Sequence, residues 1–129
     1  INYNILRLPE IIGSSKNPNT LTNFFYNCIK NNITFNLYKN TKRNLLDVED
    51  AISACIKIIK MNKKNFTINI LNKSFYTPFK IVKGFETVLN KKAIYRIKSI
   101  RGKNLKFKNT FYLKFNSNYL IKVIKKYYK

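Results

Sequence analysis

The sequence predicts an α/β fold in which helices connect successive strands. Three observations lead there. Segments with strand-like alternation or short apolar runs take turns along the chain with segments of helical spacing, which favours helices packed on a sheet over an all-helical bundle. Hydrophobic residues fill 45% of the 129 positions and aromatics 15%, far too apolar a mixture for a disordered basic tail. No internal repeat or low-complexity linker divides the chain, and its length suits one compact domain over residues 1–129.

Each element has its own signature. Residues 2–8 alternate around Ile5, Leu6 and Leu8, and Pro9 ends that strand. Residues 13–20 (GSSKNPNT) form a polar loop whose Asn19 or Thr20 can cap the following helix. In residues 21–31, Leu21, Phe24, Phe25, Cys28 and Ile29 recur at helical spacing. Residues 34–38 alternate as a strand, and 43–47 hold a shorter extended piece. At Val48 a helix begins, with Asp47 as N-cap, Glu49 and Asp50 complementing its dipole, and Lys57 and Lys60 towards its C-terminus. Ala51, Ile52, Cys55, Ile56 and Ile59 are its predicted inward face. Residues 66–71 (FTINIL) read as a buried strand. Residues 79–90 read as a helix with Ile81, Val82, Phe85, Val88 and Leu89 inward, and 93–100 as a strand. Gly102 marks a turn. Residues 116–128 close the chain as an amphipathic helix on Tyr119, Leu120, Val123, Ile124 and Tyr127.

The charge excludes several chemistries and tempers one. Twenty-six Lys plus Arg face five Asp plus Glu, a net charge of +21 at neutral pH. Only Arg7, Arg43, Arg96 and Arg101 are arginines; the other basic residues are lysines scattered in short doublets. A reader of DNA bases would favour the bidentate arginine fork, so specific nucleic-acid binding is not expected. Lys, Asn, Ile, Phe and Tyr fill 79 of the 129 positions, and A- and T-rich codons explain much of that bias. The absence of His removes His-based zinc sites and Ser-His triads together. No apolar run approaches the roughly 18 residues of a membrane span. Cys28 and Cys55 sit singly within helical patterns and read as buried free thiols of a reducing, cytoplasmic compartment, a disulfide being the other reading. The chain opens on Ile1 and directly on a strand, as a piece of a longer protein would.

Three segments, in order and spacing, resemble the C-terminal part of the extended short-chain dehydrogenase/reductase family of nucleotide-sugar epimerases, dehydratases and reductases. Arg7-Leu8-Pro9-Glu10-Ile11-Ile12-Gly13 is similar to the family pattern R-L-x-N-V-[FY]-G. Arg43-Asn44-Leu45-Leu46-Asp47-Val48-Glu49-Asp50-Ala51 resembles R-D-[FY]-I-H-V-x-D-[VA]. Phe66-Thr67-Ile68-Asn69-Ile70, with the helix from Ile81 to Lys92, resembles the strand and helix that follow. The resemblance implies a Rossmann-type extended fold whose dinucleotide-binding half and catalytic Tyr-x-x-x-Lys lie upstream of Arg7, outside this chain. NAD or NADP would then bind mainly to that half, with none expected on this chain alone. The implied substrate is a nucleotide sugar used in carbohydrate biosynthesis, and a homodimer is open to the intact enzyme. Gly13, Gly84 and Gly102 stand isolated, with no phosphate-cradling G-x-G-x-x-G. Tyr-x-x-x-Lys occurs at Tyr26/Lys30, Tyr38/Lys42 and Tyr76/Lys80, where nine Tyr and 22 Lys among 129 residues produce one or two such pairs by chance, and all three lie on the wrong side for the family.

The resemblance points to Arg43, Arg101 and Glu10 as substrate-binding residues and to no catalytic or metal-binding residue. Arg43, read alone, would pair with Asp47 or Glu49; in the family, an arginine at this position contacts the substrate diphosphate, an anion its fork suits. Arg101-Gly102 is similar to a late R-x-G element serving the diphosphate or ribose, although Lys103-Asn104 replaces the family Asp. Glu10 stands where relatives place a substrate-contacting Asn, and Asp47 where many have His. Phe24, Phe25, Phe35 and Tyr38 read mainly as core, some of them shaping a pocket between the helix at Leu21 and the strand at Phe35. A small basic module binding nucleic acid or an acidic partner is the competing reading of the same charge. A Gly-rich strand–helix unit encoded upstream of Ile1 would favour the enzyme, and an initiator Met there the module.

Overall fold

A computed structural model describes residues 1–101 and 106–129. The predicted turn at Gly102 therefore lies outside the described residues. In chain order the elements are β1 (Asn4–Arg7), β2 (Glu10–Ile12), α1 (Leu21–Lys30), β3 (Phe35–Tyr38), β4 (Leu45–Asp47), α2 (Val48–Lys60), β5 (Phe66–Asn72), α3 (Pro78–Leu89), β6 (Tyr95–Lys98), β7 (Thr110–Leu113) and α4 (Tyr119–Tyr128). The strands pair in three groups: β1-β5-β7, β2-β4 and β3-β6. All four pairings are parallel, with Leu6 opposite Ile68, Ile11 opposite Leu46, Leu37 opposite Ile97 and Ile70 opposite Phe111. Parallel neighbours need long crossovers. Helices α2 and α3 lie on those connections, so the predicted α/β class holds.

Local chemistry starts the helices where the sequence suggests. Thr20 caps α1 by accepting from the Asn23 N–H, and Asp47 caps α2 by accepting from Glu49. Thr77 caps α3, with Pro78 in the first turn, where its missing N–H costs nothing. The chain has only three glycines, and asparagine takes the left-handed positions instead: Asn32, Asn62, Asn65, Asn90 and Asn109 all have positive φ. Asn is the residue other than Gly that tolerates this region best. Asn90 ends α3 this way, at φ 50°.

Two cores result. The larger packs α1, α3 and α4 around β3, through Phe25, Ile29, Leu37, Ile81, Phe85 and Ile124. Gly84 lets α4 approach α3, since a Cβ there would stand 2.9 Å from Ile124 Cδ1. The smaller core joins α2 to β4 and β5 through Leu46, Ala51, Ala54, Ile58 and Ile70.

Several expectations need correction. Helix α2 buries Ala51, Ala54 and Ile58, whereas Ile52, Ile56 and Ile59 are 54%, 46% and 60% exposed. The small alanines let the helix lie close to the strands, and this turns the bulky isoleucines outward. Pro9 ends β1 but not the extended chain, because β2 begins at Glu10. Strand β7, between Lys108 and Lys114, adds an element that the sequence pattern does not predict. The final helix begins at Tyr119 rather than 116, after a turn in which the Asn118 N–H donates to Asn116 Oδ1 at 3.0 Å. Cys28 is buried but Cys55 only half-buried, and both are free thiols.

Candidate functional site

The site is built at the C-terminal ends of β1 and β5 and the start of β4. Arg43 is fixed through its backbone: its N–H donates to Tyr76 O at 2.7 Å, and its carbonyl accepts from Tyr76 N at 2.8 Å. Behind it, two buried asparagines take the place of a ladder between β4 and β5. Asn44 Nδ2 donates to Asn72 O at 2.7 Å, and Asn72 N–H donates to Asn44 Oδ1 at 2.9 Å. Asn72 Nδ2 also donates to Leu45 O and to the Tyr76 hydroxyl. A buried polar group without a partner is costly, so this satisfied network holds the strand end in one geometry.

The Arg43 side chain leaves this anchor for the surface, where Nη1 lies 3.0 Å from Glu10 Oε1. Glu10, rather than Asp47 or Glu49, is its ion-pair partner, because parallel β2-β4 pairing sets Glu10 opposite Leu45 and brings the carboxylate to Arg43. Glu10 Oε2 is buried without a hydrogen-bond partner among the described residues. Burial pushes this carboxyl above the usual glutamate range, and the Arg43 charge pulls it partly back.

Arg43 lines two cavities. One is a cationic cleft of about 800 Å³, where Arg7, Lys42, Lys106 and Lys108 join Arg43, and Glu10 is the sole acid among the described lining residues. The other is an apolar cleft of about 580 Å³ between α1 and β3, with Phe24, Phe35, Tyr38 and Ile100 among its walls. Phe25 and Phe35 are core residues, while Phe24 and Tyr38 are 42% and 39% exposed at that cleft. Arg101 is exposed and follows Ile100 directly. The fold thus joins Arg43 and Glu10 in one contact and leaves Arg101 beside the apolar cleft, outside the described lining of both. Arg7, Lys42, Lys106 and Lys108 join the site only through the fold, as does the Asn44–Asn72 pair. Arginine scarcity was the available signal, since two of only four arginines meet here.

Asp47 has a different office. Its Oδ1 accepts from the Glu49 N–H and from the Tyr127 hydroxyl, and Lys126 Nζ lies 2.8 Å from Oδ2. Tyr119 accepts from the Asp47 N–H and donates to Asp50 Oδ2, both at 2.8 Å. The acidic start of α2 is therefore a clamp on α4. Burial pushes the Asp47 carboxyl up, but hydrogen bonds from Lys126, Tyr127 and Glu49 outweigh it and hold it below the usual range.

Two of the three Tyr-x-x-x-Lys pairs bring the ammonium over the face of the ring. Lys30 lies 5.4 Å from the Tyr26 ring centre and Lys80 5.5 Å from that of Tyr76, as cation–π contacts. Burial raises the Tyr76 phenol, opposite to the shift a proton-transfer tyrosine needs. Among the described residues no group of His, Cys, Asp and Glu could hold a metal ion, and no helix is long and apolar enough to cross a membrane.

Comparison with solved structures finds this parallel α/β fold within nucleotide-sugar epimerases. The UDP-glucose 4-epimerase of Thermotoga maritima, solved with UDP-glucose, superimposes with a TM-score of 0.61 at 17% identity, covering 75% of this chain and 33% of the epimerase. The UDP-glucuronic acid 4-epimerase of Bacillus cereus, solved with UDP-glucuronic acid and NAD, gives 0.64 at 17% identity, with 94% and 38% covered. The UDP-N-acetylglucosamine 4-epimerase of the same organism gives 0.65 at 15% identity, with 95% and 44% covered. The chain thus spans a third to under half the length of these structures. No protein-family model matches the sequence, and neither does any curated protein.

Proposed function

We propose that this chain is the substrate-binding C-terminal part of an NAD(P)-dependent nucleotide-sugar epimerase, dehydratase or reductase. The carrying observation is the place of Arg43, shared between an apolar cleft with aromatic walls and a cleft with four further cations. A nucleotide sugar has matching parts: a flat base for the aromatic side and a diphosphate for the guanidinium fork. Similarity in fold to sugar-nucleotide epimerases supports the same reading. Arg101, next to Ile100, is assigned a secondary role at the nucleotide end.

The dinucleotide would supply the hydride acceptor and donor. The residues described here do not fit it, since the sequence has no Gly-rich loop to receive its pyrophosphate, and it is assigned to an upstream half. This chain's own task is to bind and orient the sugar diphosphate.

The test is titration of UDP-glucose into the wild type, Arg43→Lys and Arg43→Ala, with melting temperatures on the same samples. Arg43→Lys keeps the charge but loses the fork and should weaken binding by about 1–3 kcal/mol, the range for charge-assisted hydrogen bonds. Arg43→Ala should cost more. Unaltered affinity together with a lower melting temperature would retire Arg43 as a ligand residue.

A further inference from the structure

Glu10 presents an unsolved problem of charge at this site. Its Oε1 occupies Nη1 of the arginine assigned to the diphosphate, and its Oε2 is shut off from solvent without a partner. A phosphate group arriving at Arg43 would meet a second anion on the same guanidinium. Two negative charges sharing one site raise the proton affinity of the weaker acid. Protonation resolves both difficulties, because a neutral carboxyl stops repelling the phosphate and leaves no charge on an oxygen shut off from solvent. The Arg43 side chain is 43% exposed, so its remaining N–H groups can reach a ligand while Oε1 still holds Nη1.

We propose that Glu10 couples binding of a sugar diphosphate at Arg43 to the uptake of one proton from solvent, carried on Oε2. This rests on the reading of the cleft as a diphosphate site and adds a regulatory residue to it. Burial already biases Glu10 towards its protonated form. Among the described residues, the other charged groups lining the cleft are Arg7 from β1, Lys42 and Arg43 ahead of β4, and Lys106 and Lys108 ahead of β7. Arginine and lysine side chains in general titrate above about pH 10. The chain contains no His, so the side chain that ordinarily changes charge between about pH 5 and 8 is absent from it.

The experiment is calorimetry of UDP-glucose binding to the 129-residue chain, in pairs of buffers that differ in ionisation heat. UDP-glucose is chosen because its esterified diphosphate does not itself titrate in this window. Wild-type affinity should rise as pH falls from about 8 to about 5, by up to about tenfold per pH unit where a full proton is taken up, with buffer-dependent heats reporting net proton uptake. Glu10→Gln keeps a hydrogen bond to Arg43 and should bind more tightly at the alkaline end, with a flat pH profile and no uptake. The wild-type heats alone decide the matter if the variant folds poorly. Arg43-dependent binding without proton uptake would overturn the coupling and leave the diphosphate site standing. An unchanged slope in a folded Glu10→Gln would also overturn it. Failure of every variant to bind at any pH would overturn the site and the coupling together.

Discussion

Asn72 is fully buried, and its side chain does the work of a missing strand pairing. Its Nδ2 donates to Leu45 O and to the Tyr76 hydroxyl, and its Oδ1 accepts from the Ser74 N–H. Asn72→Ala would strip these partners while leaving the groups buried, so a loss of about 2–3 kcal/mol is expected. Sugar-diphosphate affinity should fall with it, because Arg43 hangs on Tyr76; denaturant midpoints and titration on one sample check both. Asp47 makes the complementary case for pH. Its folded carboxyl is held low, so its stabilisation is complete above the unfolded range near pH 4 and is lost as pH falls through the lower folded value. Urea midpoints of Asp47→Asn should therefore fall less than the wild type's between about pH 4 and pH 2. A parallel fall in both would show that Asp47 does not clamp α4. Glu10, whose folded carboxyl is raised, has the opposite sign: its ionisation opposes folding as pH rises through that value.

Helix α2 shows what a sequence states and what it leaves open. Its existence, its cap and its charge gradient were all legible from Asp47 to Lys60, since each is a local property. Its rotation was not, because alanine, cysteine and isoleucine leave several faces apolar and only the distance to the sheet chooses among them. Substitutions can read the rotation directly. Ile58→Ala should cost about 2–4 kcal/mol, as a buried isoleucine emptied to a cavity. Ile56→Ala, only two residues away in sequence but on the exposed face, should stay within about 0.5 kcal/mol. Equal losses at the two positions would mean that the outer face is covered. The strands β2 and β7 escaped for another reason: three or four residues give too few alternations to stand out beside Pro9 or among lysines. The site was legible in part. Arg43 and Glu10 stood in separate segments, and only the parallel pairing of β2 with β4 makes them neighbours. Nothing local to Asn44 or Asn72 announces that they face each other 28 residues apart.

At the scale of the whole molecule, the +21 charge and the long-range wiring dominate. The lysines are dispersed, so any association with duplex DNA should be independent of sequence and steep in salt. Contact with about six phosphates would cost roughly a thousandfold in affinity between about 50 and 200 mM salt. Fluorescence anisotropy with two unrelated duplexes tests this, and sequence-selective binding at physiological salt would favour the nucleic-acid reading instead. The wiring has a consequence for how the protein is made. The Tyr128 hydroxyl reaches Thr22 across 106 residues, and α4 supplies Leu120, Val123 and Ile124 to the larger core. A chain emerging from the ribosome N-terminus first has helices α1 and α3 in hand well before the helix that covers them. During that interval Phe25, Ile29 and Phe85 lack their final cover and are open to chaperones and to one another. The ten residues of α4 thus complete the larger core, and a nascent chain that has not yet reached Tyr119 leaves that core open, however well its earlier elements have formed.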